Sequence, residues 1–78
     1  MNLVEAAVKR GHVIEITGFV GDTVYRDRLH EMGFRVGSLI SIIGRAPFRG
    51  PLLVRYKTSF LALRVEEASC IEVRWRQE

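Results

Sequence analysis

Apolar and polar positions repeat along this chain with two different periods, and the change of period marks its elements. Val13-Ile14-Glu15-Ile16-Thr17 is β-branched with Ile14 and Ile16 on one face, which predicts a half-buried strand. Gly18 and Gly21 loosen the exit from that strand, as glycines near a bend or bulge do. Asp22 is placed to cap a helix, because its carboxylate can accept from the free amides of the first turn. Tyr25, Leu29 and Met32 then recur at i, i+4 and i+7, while Arg26, Asp27, His30 and Glu31 fall mostly on the other side. The predicted helix has about three turns, too few to persist without packing.

Gly33 stands where such a helix needs a left-handed residue, at C′. With Gly33 at C′, Leu29 is C3 and Phe34 is C″, the two positions that touch in a Schellman motif, and both are apolar. Gly37 opens a second turn. Residues 38–45 form the longest apolar run and predict a strand buried on both faces over part of its length. Residues 46–51 are a loop bracketed by Pro47 and Pro51, neither of which can donate to a ladder. Residues 52–56 predict the next strand, residues 57–59 a tight connection, and residues 60–64 a strand that pairs back. Glu66-Glu67-Ala68 suits one helical turn. Ile71, Val73 and Trp75 alternate with Glu72, Arg74 and Arg76 in a final half-buried strand, with Trp75 on the core side. Ahead of everything, residues 3–10 suit a short helical turn or an arm ended by Gly11. The fold class is therefore mainly β with one short helix inserted after the first strand. Five short strands hide their edges best by curling into a small, partly open antiparallel barrel.

Seventy-eight residues bound this to one domain spanning residues 1–78, near the lower limit for folding without staples. Cys70 is the single cysteine, which excludes an internal disulfide and suits a reducing compartment. No secretory leader and no membrane-spanning run is legible, so a cytoplasmic location is expected. The formal charge is +3, and ten of the twelve basic residues are Arg. Arg is the residue of planar contacts to carboxylate or phosphate, although a mixed soluble surface explains the same composition.

Candidate chemistry is sparse. His12, His30, Glu31 and Cys70 are the residues that suit a metal, but no two fall at a ligand spacing, and two surface histidines with a packed cysteine account for them. No metal site, cofactor or catalytic set is assigned. Residues 18–23 lack the Lys-Ser/Thr ending of a phosphate loop. Phe48 is the most suggestive residue: it lies between two prolines with Arg49 beside it and Arg45 nearby, the composition of a binding hot spot. A Phe48 folded back over the barrel end fits equally well. Arg55, Lys57, Arg74 and Arg76 would supply a basic strip for nucleic acid, the alternative reading, against which stand Glu15, Glu72 and the few aromatics.

Arg28-Leu29 through Gly33-Phe34 to Gly37 resembles the "RL-x-x-M/L-G-F/L-x-x-G" signature of FeoA domains. Ala46-Pro47 to Gly50-Pro51 is similar to their "P-x-x-x-P" loop, and Leu61-Ala62-Leu63-Arg64, Ala68 and Ile71-Glu72-Val73 resemble their "LALR-x-x-x-A-x-x-I-x-V" ending. The resemblance covers nearly the whole chain in order. It implies an SH3-like barrel, a fold also seen at the C-terminus of DtxR-type metalloregulators, and a family-level association with transition metal ions. It further implies a non-enzymatic accessory of the FeoB ferrous iron transporter, reaching the membrane only through that partner and binding no nucleic acid. The expected contact is with the transporter's cytoplasmic GTP-binding part, through Phe48 and Arg49, with Arg26 and Arg28 as rim charges.

Overall fold

The computed structural model describes residues 1–7 and 11–76. Its elements are α1 (Leu3–Ala6), β1 (Val13–Phe19), α2 (Thr23–Glu31), β2 (Leu39–Arg45), β3 (Leu52–Tyr56), β4 (Ser59–Leu63), α3 (Val65–Ala68) and β5 (Ile71–Trp75). All strand pairs are antiparallel, in the order β4-β3-β2-β1-β5. The expected architecture, five short strands with a helix after the first, is the one observed. The first helical turn, expected over residues 3–10, ends at Ala6; residues 8–10 lie outside the described residues.

Ile14 and Ile16 of β1, Ile40 and Ile42 of β2, Leu52 and Val54 of β3, Leu63 of β4, and Ile71 and Val73 of β5 face one core with Leu3, Leu29 and Phe34. The sheet therefore has one buried face, as alternation requires. β2 differs from its reading as a strand buried on both sides. Leu39 and Ile43 are 40% and 39% exposed, because among the described residues the outer face of β2 is only partly covered. β1 runs past the expected Thr17 to Phe19, because a register shift between Ile16 and Gly18 lets pairing with β5 continue. Trp75 is half-buried against the core rather than enclosed by it.

The turn after α2 fixes how helix and sheet meet. The Gly33 N–H donates to His30 O (3.0 Å) and the Phe34 N–H to Leu29 O (3.2 Å), the paired bonds of a Schellman motif. Gly33 has φ +99°, a conformation costly to any residue with a Cβ. Leu29 and Phe34 are fully buried, and each side chain so buried contributes about 1.5–3 kcal/mol relative to exposure. Tyr56 of β3 completes the joint. Its ring lies 5.1 Å from that of Phe34, and its hydroxyl donates to Gly33 O (3.2 Å). The Ser38 hydroxyl, 3.4 Å away, draws the Tyr56 phenol below its ordinary pKa. Beyond the turn, the Gly37 N–H donates to Ile16 O (2.8 Å) and the Ile16 N–H to Ser38 O (2.9 Å), which delivers the chain to β2 beside β1.

Replacing Gly33 with Ala forces a Cβ into the left-handed region without a steric obstacle nearer than Tyr56 at 3.9 Å. The expected loss is about 1 kcal/mol or more of unfolding free energy. Chemical denaturation measures it; an unchanged midpoint would mean that Gly33 is not the constrained stop.

Candidate functional site

The β2–β3 loop is built to hold its tip in place. Between Pro47 and Pro51, the Gly50 N–H donates to Pro47 O (3.1 Å) and the Ala46 N–H to Pro51 O (3.0 Å). Gly50 has no room for a side chain: a Cβ there would stand 2.5 Å from the Ala46 Cβ. Phe48 and Arg49 both have positive φ, +58° and +59°. That is the sign pattern of a type I′ turn, a place normally taken by Asn-Gly. Each L-residue with a Cβ in this region costs about 1–2 kcal/mol. At this strained tip Phe48 is 99% exposed, and Arg49 is also exposed. Of the two placements open to Phe48, the exposed tip is the one observed, and it contributes nothing to the core.

Helix α2 carries the other two expected site residues, in different surroundings. Arg26 is half-buried; its guanidinium donates to Thr23 Oγ1 (3.2 Å), and its Nε has no hydrogen-bond partner among the described residues. The Arg28 Nε lies 2.6 Å from Glu67 Oε2, with the arginine side chain 64% and the glutamate side chain 4% exposed. The other Glu67 oxygen accepts from the Arg64 N–H (2.9 Å) at the start of α3. Arg28 thus joins α2 to α3, a role that its sequence position did not disclose. Glu67 was legible only as part of a helical turn. Its burial depends on a helix far away in sequence, and no local pattern reports that.

The other candidates are dispersed. His30 is exposed, and its ring meets that of Phe19 at a tilt of 52° with centroids 4.6 Å apart. His12 meets Trp75 edge-on at 6.0 Å. Cys70 is buried, and its thiol donates to Glu66 O (3.3 Å). No three metal-ligating side chains converge among the described residues. Arg55 lies on β3 and Arg74 on β5, with β2 and β1 between them in the sheet, and Arg74 is paired with Glu15 at 3.2 Å. The basic strip imagined for nucleic acid is therefore divided. An open groove of about 570 Å³ runs along Glu15, Arg74, Trp75 and Arg76. Among the described residues, no helix is long and apolar enough to cross a membrane.

A five-stranded antiparallel sheet curled over one core, with a helix after its first strand and a displayed loop, defines a small SH3-like fold. Comparison with known proteins narrows this further. The FeoA domain profile matches residues 1–74, and the chain belongs to the FeoA domain family. An "Fe(2+) transport protein A/Fe(2+) transporter FeoB fusion protein" of Porphyromonas gingivalis is 42% identical over 53 residues, 68% of this chain. The chain matches only 6% of that fusion protein's length. The NMR structure of a FeoA-like protein from Clostridium acetobutylicum superposes with TM-score 0.87 at 31% identity, covering 100% of this chain and 88% of that one. The FeoA protein of Chlorobium tepidum gives TM-score 0.81 at 29% identity, with 96% and 70% covered. The FeoA family is associated with ferrous iron transport.

Two consequences are measurable. Phe48→Asn places a residue tolerant of positive φ at the strained tip. It should raise unfolding free energy by about 0.5–1 kcal/mol; a destabilised variant would mean that Phe48 packs against something. Arg28→Ala strands a buried carboxylate and should cost about 1–3 kcal/mol by the same assay, whereas a loss near zero would show the bridge to be dispensable.

Proposed function

We propose that this chain is a single-domain, non-enzymatic cytoplasmic accessory of a FeoB-type ferrous iron transporter. It acts by docking on the transporter's cytoplasmic GTP-binding part. The relative in Porphyromonas gingivalis carries both names in one polypeptide, which is what two parts that work together look like when joined. Binding is favoured over chemistry because the displayed groups are an aromatic ring and arginines, with no nucleophile–base pair or converging ligand set among them.

The observation that carries the reading is Phe48: fully exposed, on a braced loop, in a backbone conformation that costs stability. Strain retained at an exposed position points to a use for that position. Phe48 supplies buried area on docking, and Arg49 beside it supplies register and association rate. Because two prolines and two hydrogen bonds already order the loop, little entropy is lost when it docks. Arg26 and Arg28 add rim charge from α2, Arg28 through the exposed part of a guanidinium already paired with Glu67. Nucleic acid is not the partner in this reading, since Arg74 is engaged with Glu15 and stands apart from Arg55.

Calorimetric titration against the cytoplasmic part of a FeoB transporter tests the reading. Phe48→Ala should weaken binding by ~2 kcal/mol, about thirtyfold, with folding intact. Parent-like binding would place the interface elsewhere on the chain.

A further inference from the structure

The two edges of the sheet are treated differently. Along β5, the outer edge is occupied: the Val73 N–H donates to Met1 O (2.9 Å), and Asn2 bridges to Glu72. Along β4, every ladder partner belongs to β3, and among the described residues no backbone hydrogen bond reaches it from the outer side. Alternate N–H and C=O groups of residues 59–63 therefore point to solvent. Exposed edges are normally blunted by a charge, a proline or a bulge. Ser59-Phe60-Leu61-Ala62-Leu63 contains none of these.

The surroundings of this edge are selective. Phe60 faces outward, 62% exposed, opposite Arg55 and diagonal to the exposed Leu53, which pairs with Ala62. Lys57 and Arg64 flank the two ends of the strand, both exposed. From Met32 to Arg64 the chain has six basic residues and no acidic one; all nine acidic residues lie outside that stretch. The β2–β4 half of the molecule is thus one-signed, with an apolar strip beside an unpaired backbone.

We propose that β4 is a strand-addition site for an extended, acidic segment of a protein partner. The segment's backbone pairs with residues 59–63, its apolar side chains cover Phe60 and Leu53, and its carboxylates meet Arg55, Lys57 and Arg64. Backbone pairing provides the affinity and the flanking charge selects the sign. A second copy of this chain is disfavoured as occupant, because antiparallel β4–β4 pairing brings Lys57 of one copy toward Arg64 of the other. The site is separate from the Phe48 loop and does not depend on the transporter reading.

The probe is a capped octapeptide alternating valine and glutamate, titrated into the isotopically labelled chain and followed by amide shifts in NMR. Its valine–lysine counterpart is the charge control. Saturable shifts centred on residues 59–63, absent with the lysine peptide, are expected. Phe60→Glu, and separately the double change Lys57→Glu with Arg64→Glu, should each weaken binding about tenfold or more; preserved amide dispersion shows that the variants fold. Phe48→Ala should leave the titration unchanged, which distinguishes this surface from the loop. No shift in β4, an equal response to the lysine peptide, self-association of the free chain through β4, or a stronger response to oligodeoxythymidine would each overturn the proposal.

Discussion

Everything downstream of β1 depends on how α2 ends. Two backbone hydrogen bonds, from Gly33 to His30 and from Phe34 to Leu29, stop the helix and bring two buried side chains together. Neither bond would fix the geometry alone. The Tyr56 hydroxyl on Gly33 O and the Tyr56 ring on Phe34 lock the turn to β3, and the Gly37 bond to Ile16 locks it to β1. A helix of nine residues, too short to be stable in isolation, is thereby held between two strands of the sheet it caps.

The molecule uses left-handed backbone in two opposite ways. At Gly33 the conformation is required by the fold, and a glycine supplies it at low cost. At Phe48 and Arg49 the same conformation is taken by residues poorly suited to it, and the braced loop around them absorbs the strain. The first turn builds the barrel, whereas the second holds its strain at an exposed loop tip. The Arg28–Glu67 pair also serves the fold, since it ties α2 to the single turn of α3 from a buried carboxylate.

Much of this was legible in the chain because its causes are local. The Leu29–Gly33–Phe34 spacing carries the helix stop by itself, Asp22 caps α2 by accepting from the Val24 N–H, and the period of β3 fixes its bounds at Leu52–Tyr56. The misreadings have non-local causes. The apolar run of β2 looked doubly buried, yet whether a second face is covered depends on elements elsewhere, and among the described residues Leu39 and Ile43 are only partly covered. At the site, the two prolines signalled a stiff loop, but Phe-Arg is not a recognised type I′ pair, so the strain at Phe48 left no trace in composition. The arginine that forms an internal bridge could not be told from one awaiting a partner, because Glu67 comes from a distant helical turn.

Native-state amide hydrogen exchange tests the central claim most directly, since it reports the free energy needed to open each bond. If the turn after α2 is the joint on which the sheet depends, the Phe34 and Gly37 amides open only with global unfolding. They should then exchange as slowly as the core amides of β2 and β3. Exchange of Phe34 and Gly37 through local fraying, well below the protection of those strands, would contradict the account.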